Sequence, residues 1–331
     1  MTENPDAGVV RQLLLPLADL LEDASLYEIV INKPGEVLTE GADGWSRHQK
    51  PELTFEKLMR LARTVASFSN QRINESRPLL SATLPAGERI QIVVPPATSA
   101  QTISITIRKP SSAFFTMDEM ERKGLFDQVI SSAQVTQQDD PLLDTYESGR
   151  YRFFLEAAVM ARKNIIISGA TGSGKTTLSK ALIQHIPPQE RIITIEDTPE
   201  LVIPHVNHVR LFYSKGDQGL ARVGVKDLLE ACLRMRPDRI LLQELRDGAA
   251  FYYIRNVNSG HPGSITTVHA DSANLAFEQL TLLVKESEGG SALARDDIRR
   301  LLESAIDVVV QCRRVRGAFR IAEIWYREVR G

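Results

Sequence analysis

Residues Gly169-Ala170-Thr171-Gly172-Ser173-Gly174-Lys175-Thr176 follow directly on the apolar run Ile165-Ile166-Ile167. Their spacing is Gly-x-x-x-x-Gly-Lys-Thr, the phosphate-binding loop of nucleoside triphosphatases. Glycines let the backbone wrap a triphosphate closely, in conformations that a side chain would forbid. The loop amides then point inward, and the helix that follows adds its positive N-terminal end. On this reading Gly169, Ala170, Thr171, Gly172, Ser173, Gly174, Lys175, Thr176 and Thr177 hold the phosphates of ATP. Lys175 supplies charge to the β- and γ-phosphates, and Thr176 a hydroxyl to Mg2+. The flanks supply the context the motif needs. Residues 164–168 read as a short buried strand, and 177–186 as a helix stopped by Pro187-Pro188. The plainer alternative, a glycine-rich turn, does not require that strand–loop–helix order.

At 331 residues the chain can build two domains, each with its own core. Its apolar share of 43% and charged share of 25% are ordinary for a globular protein, which argues against disorder. A net charge of −2 excludes a whole-molecule basic field for nucleic acid, though not a local patch. Cys232 and Cys312 lack metal-ligand spacing and read as reduced, buried thiols of a cytosolic protein. No secretory signal is expected. The apolar cluster around Leu13–Leu17 is interrupted by Pro16 and Asp19 and is too short to span a bilayer, so membrane contact is expected to be peripheral.

The first 130 residues mix short strands with helices. Residues 9–22 have helical apolar spacing, and 26–31 and 36–40 read as strands around the turn Asn32-Lys33-Pro34-Gly35. Residues 54–69 form an amphipathic helix capped by Thr54; 79–84, 89–94 and 102–108 form a strand meander, and 118–130 a further helix. This is an α+β domain with an antiparallel sheet, residues 1–130. The polar stretch Ser131-Ser132-Ala133-Gln134-Val135-Thr136-Gln137-Gln138-Asp139-Asp140 begins a linker, 131–145. From 146 to 331 strands at 191–195, 239–242 and 264–268 alternate with helices, the signature of a covered parallel sheet in an α/β domain. A helix at 297–306, a strand at 307–311 and a hairpin through Gly317 close the chain.

A phosphate loop needs carboxylates to help hold Mg2+ and to orient or deprotonate water. Two acidic clusters follow expected strands, where open α/β sheets place their ligands. They contain Glu196, in Ile195-Glu196-Asp197, and Glu244, in Leu242-Gln243-Glu244-Leu245-Arg246-Asp247. Strands commonly end in polar residues, so either cluster alone says little; two of them downstream of a phosphate loop mark Glu196 and Glu244. His269 ends another strand and is placed to sense a γ-phosphate, although an isolated histidine there is more often a satisfied core residue; His261 is a weaker candidate. Arg234 and Arg236 end a helix before Pro237. They compensate its C-terminal dipole, or reach a triphosphate across a subunit boundary. Residues 313–330 carry six arginines against two glutamates and read as a solvated hairpin, with anionic lipid or nucleic acid as the less favoured partner.

In this order the elements resemble the type IV secretion traffic ATPases, of the larger secretion and pilus ATPase superfamily. The resemblance covers nearly the whole chain. It rests on Ile31-Asn32-Lys33-Pro34-Gly35-Glu36, on Gly87-Glu88-Arg89-Ile90, and on Ile105-Thr106-Ile107-Arg108-Lys109-Pro110 in the front half. In the back half it rests on the phosphate loop, the acidic box ending Glu196-Asp197-Thr198, the run Arg236-Pro237-Asp238 to Glu244, and the histidine box Gly260-His261-Pro262-Gly263 to His269.

The resemblance implies a homo-hexamer of two-domain subunits with a RecA-like C-terminal ATPase domain. ATP and Mg2+ would lie between the two domains of a subunit, with Glu196 and Glu244 as the Mg2+-water and general-base pair. It also implies that Arg89 and Arg108 approach the phosphates, and that Thr176 and Glu244 attend the metal. The implied setting is the cytoplasmic face of the inner membrane, alongside other secretion ATPases and a coupling protein, powering pilus assembly or the transfer of DNA or protein. One departure stands out: Gln243 occupies a position that is usually Gly. Two rivals share the loop, a nucleic-acid translocase and a nucleotide-gated ring scaffold without turnover. The balanced charge disfavours the first, and Gln243 leaves the second open.

Overall fold

The computed structural model describes residues 5–110, 116–127, 141–214, 220–257 and 260–329. In the front half six strands form one antiparallel sheet, in the order β3-β2-β1-β6-β5-β4. They are β1 (Leu26–Ile31), β2 (Glu36–Gly41), β3 (Gly44–Gln49), β4 (Leu79–Thr83), β5 (Arg89–Val93) and β6 (Ser104–Arg108). One face is apolar: Ile29, Ile31, Ile90, Ile92, Ile105 and Ile107 alternate inward along their strands. Helix α3 (Phe55–Phe68) lays Leu58, Leu61 and Val65 on that face, and Thr54 caps it by accepting from the Lys57 amide at 3.4 Å.

The helix expected over 9–22 is broken. Helix α1 (Pro5–Leu13) passes into a 3-10 turn at Leu15–Leu17 and then α2 (Ala18–Glu22), because Pro16 brings no amide to a continuous helix. Strand β3 was not expected. Its residues are mostly exposed, so its sequence lacks the apolar alternation of an inner strand. Helix α4 (Met117–Arg122) is shorter than the helix expected over 118–130, and the chain leaves it through Gly124 at φ +81°. Residues 131–140 of the expected linker lie outside the described residues. Residues 141–147 are already helical, as α5 (Pro141–Glu147), with Leu142 buried.

The back half holds two groups of parallel strands. One is β10-β8-β9, from β8 (Ile192–Glu196), β9 (His208–Phe212) and β10 (Arg239–Leu242). The other is β11-β7-β12-β13, from β7 (Ile165–Ser168), β11 (Ile265–Val268), β12 (Val308–Val315) and β13 (Ala318–Tyr326), with only the last pair antiparallel. The groups meet at β10 and β11, where Ser264 Oγ donates to Ile240 O at 2.8 Å and Leu245 N to Thr267 O at 2.8 Å. Strand β7 is buried on both faces. Ile166 points to a core built with α8 (Val225–Cys232), α9 (Ala249–Val257), α10 (Ala273–Lys285) and α11 (Arg295–Ala305). Ile165 and Ile167 point to a core built with α5, α6 (Tyr151–Met160) and α7 (Lys175–Ile183).

The front half docks along the outer edge of β9. Phe212 N donates to Ala97 O at 3.0 Å, and Thr98 Oγ1 to Arg210 O at 3.0 Å, so the open strand edge is covered. Beside it Arg191 is wholly buried. It donates to Met235 O at 2.9 Å and Asn32 Oδ1 at 2.9 Å, and also to Asn207 Oδ1. Burial outweighs nearby Glu28 and Asp238 and pulls its pKa down to about 10, so the guanidinium stays charged at neutral pH.

Candidate functional site

The phosphate loop leaves the C-terminal end of β7 and enters α7 through Gly174, at φ +96°, a conformation that favours glycine. Gly169 is equally constrained, since a Cβ there would fall 2.6 Å from Cys312 O. The loop therefore runs against the middle of β12, at Cys312. Lys175, nine-tenths buried, donates to Gly169 O at 2.7 Å and Ala170 O at 3.1 Å. Burial lowers its pKa, and Glu244 opposes that shift.

Three strand ends converge on this lysine. His269, just after β11, places Nδ1 3.3 Å from Lys175 Nζ and Nε2 3.2 Å from Glu244 Oε1. With the ammonium donating, Nδ1 is the acceptor and Nε2 carries the proton offered to Glu244. Glu244, just after β10, also takes Arg246 Nη2 at 2.5 Å, and Arg246 Nη1 lies 3.5 Å from Asp197 Oδ2 beyond β8. The result is a continuous chain of polar contacts, from Lys175 through His269 and Glu244 to Arg246 and Asp197.

Glu196 is not in that chain. Its carboxylate is fully buried and accepts from Thr194 Oγ1 at 2.7 Å, from the Glu200 and Leu201 amides at 2.8 Å each, and from Arg210 through Nε and Nη2 at 3.0 Å each. Five donors use its lone pairs, and all of them belong to β8, β9 and the loop between. Arg210 is the residue that sequence reasoning missed. Its signal was the arginine within the alternating run His208-Val209-Arg210-Leu211-Phe212, a strand not foreseen.

Gln243 also has a definite place. Its Oε1 accepts from the Asp197 amide at 3.1 Å, tying the end of β10 to that of β8.

Arg89, Arg108 and Arg236 gather elsewhere. With Glu28, Arg162 and His261 they line a cavity of about 760 Å3 between the two halves. Arg236 is held by Glu40 at 2.5 Å and Asp238 at 3.2 Å, and Arg108 lies 3.5 Å from Glu28. Arg236 precedes β10 whereas Glu244 follows it, so the four residues of that strand, at about 3.3 Å each, separate the two ends. Within one chain the three arginines are thus not brought to the loop. Glu28 belongs to this cavity too; burial outweighs Arg108 and pushes its carboxyl up to about 7. His261 is occupied structurally, with Nδ1 3.2 Å from Pro237 O.

A glycine loop between a buried parallel strand and a helix, with a lysine, a histidine and a carboxylate converging at the strand ends, defines a P-loop nucleoside triphosphatase of the α/β class. The family profile described as "Type II/IV secretion system protein" matches residues 14–320, and the chain belongs to that family. It is similar to the type IV secretion system protein VirB11 of Bartonella henselae, 58% identical with 96% of this chain and 93% of the relative covered. It is 46% identical to that of Brucella suis, over 97% and 93%. The crystal structure of the VirB11 ATPase from the Brucella suis type IV secretion system, in complex with sulphate, matches with a TM-score of 0.91 at 45% identity, covering 97% of this chain and 95% of that one. The protein is accordingly a traffic ATPase of a type IV secretion system. Among the described residues no helix is long and apolar enough to cross a membrane.

Proposed function

We propose that the loop from Gly169 to Thr177 binds Mg2+·ATP and that Glu244 is the carboxylate acting on the attacking water. The observation that carries this reading is the contact of His269 with both Lys175 and Glu244, at 3.3 and 3.2 Å. Mg2+ is a hard ion that keeps several waters and takes few protein ligands beside nucleotide phosphates. The Thr176 hydroxyl at the start of α7 and the Glu244 carboxylate, oxygen donors both, fit that need. When bound, the ion neutralises charge that develops on the transferred phosphoryl group. Lys175 would exchange its loop carbonyls for phosphate oxygens, and His269 would follow it as a sensor. Glu196 orients Arg210 and the β8–β9 connection and takes no proton.

Residues 1–130 and 146–331 act as two domains in this reading, and the subunit works in a homo-hexameric ring. Arg89, Arg108 and Arg236 lie apart from their own chain's loop, and we assign them to a phosphate group reached by domain closure or by a neighbouring subunit. Nucleotide-driven opening and closing of the domains supplies the mechanical output. The ring sits peripherally at the cytoplasmic face of the inner membrane, with other secretion ATPases and the coupling protein as partners. The test is ATP turnover and secretion by Lys175→Ala. Loss of both is expected; full activity in that variant would refute the assignment.

A further inference from the structure

The basic C-terminal hairpin has no part in the chemistry described so far, yet its position beside the loop is set by strand register. Strand β12 pairs in parallel with β7, from Val308 opposite Ile165 to Gln311 opposite Ser168. At Ser168 β7 ends and the phosphate loop begins. Strand β12 runs on through Cys312 to Val315, turns at Arg316-Gly317 and returns as β13. The hairpin tip therefore stands past the edge of the sheet, alongside the loop.

The side chain at the tip that touches the loop is Phe319. A Cβ built on Gly174 would lie 3.0 Å from two atoms of its ring, so the ring rests on the backbone of the last loop glycine, immediately before Lys175. Arg314 is the cross-strand partner of Phe319 and shares its face; its guanidinium carbon lies 6.0 Å from the ring centroid, and Nε donates to Gly317 O at 3.3 Å. Seated on the glycine, the ring is still 53% exposed. Val315 and Ile321 at the same tip are exposed as well, among Arg313, Arg314, Arg316 and Arg320. Core packing does not account for an aromatic residue in this place.

We propose that Phe319, with Arg314 across its ring, forms the wall for the nucleobase and ribose end of the nucleotide held by the loop. This rests on the nucleotide-binding reading of that loop. The phosphates follow the loop amides and the first turn of α7, so the base leaves the phosphate chain beside Gly174 and the exposed Thr177. A flat π-face backed by a guanidinium is the surface on which a planar base stacks, and stacking tolerates different bases. Gly174 is then required twice: for its backbone conformation, and because a side chain there would displace the ring.

The experiment compares binding of Mg2+ with a non-hydrolysable ATP analogue and of inorganic tripolyphosphate, which has no base. Phe319→Leu keeps an apolar side chain on Gly174 but removes the π-face; Phe319→Trp keeps it. Leucine is expected to weaken the ATP analogue about tenfold or more and to leave tripolyphosphate within about twofold, while tryptophan holds both near wild type. Arg314→Gln should give a smaller loss confined to the ATP analogue. Unchanged nucleotide affinity in Phe319→Leu, or equal weakening of both ligands, would overturn the proposal, the second result showing that the ring only shapes the loop. Lys175→Ala distinguishes the underlying reading, because it should weaken both ligands together. If it spared both, the loop reading would fail and this proposal with it.

Discussion

Glu196 and Glu244 are both acids at the ends of parallel strands, and what separates them is their neighbours. A carboxylate with five donors is a structural anchor, whereas one shared between a histidine and an arginine still has capacity to rearrange. Glu196→Gln should therefore act on stability. Losing the charge opposite Arg210 is expected to cost about 3 kcal/mol, read as a lower midpoint in chemical denaturation with an unchanged slope. Gln243→Gly removes one acceptor from the Asp197 amide and should cost about 1 kcal/mol, without loss of nucleotide affinity in a calorimetric titration. The loop residues, Glu244 and His269 were legible in the sequence because strand ends in a parallel sheet face one way. The clamp on Glu196 was not, since it depends on Arg210, fourteen residues away on a strand whose polar–apolar run was too short to stand out.

Among the elements, β10 shows how the sheet fixes the site from its far end. Arg239, at its start, is wholly buried and forms a forked pair with Glu190, at 2.7 and 3.1 Å, while also donating to Val159 O at 2.8 Å. Gly263, at φ +87°, lies so close that a Cβ would sit 2.7 Å from Arg239 Nη1. The first part of the histidine box thus makes room for a buried guanidinium, a role that motif spacing could not reveal. Glu190→Ala leaves that charge unpaired and should destabilise the protein by about 3–5 kcal/mol, seen as a large fall in melting temperature. Most other elements followed from apolar periodicity. Strand β3 and the break at Pro16 did not, because an exposed edge strand carries no inward stripe and a 3-10 turn keeps helical spacing across a proline.

Over the whole molecule, the front half meets the back half through buried Arg191, the covered edge of β9 and the arginine-lined cavity. The change from an antiparallel sheet to parallel strands was legible from the strand pattern; where the two halves touch was not, because it depends on side chains such as Asn32 and Asn207 meeting across long separations. Glu28 makes this junction sensitive to pH. Its folded pKa, about 7, lies above the ordinary carboxylate value. Its contribution is therefore fully present at low pH and is lost as pH rises through 7. Glu28→Gln should match wild type near pH 5 and melt at a higher temperature near pH 8, as followed by calorimetry.

The central claim is that one site, already assembled around Lys175, His269 and Glu244, hydrolyses ATP with Glu244 acting on the water. It is tested most directly by single-turnover hydrolysis of Mg2+·ATP, with nucleotide affinity measured in parallel, in Glu244→Gln and Glu196→Gln. Glu244→Gln is expected to lose about a hundredfold or more in rate while still binding nucleotide, and folded Glu196→Gln to stay within about tenfold of wild type. The reverse order, a hydrolytic defect in Glu196→Gln with Glu244→Gln still active, would contradict it.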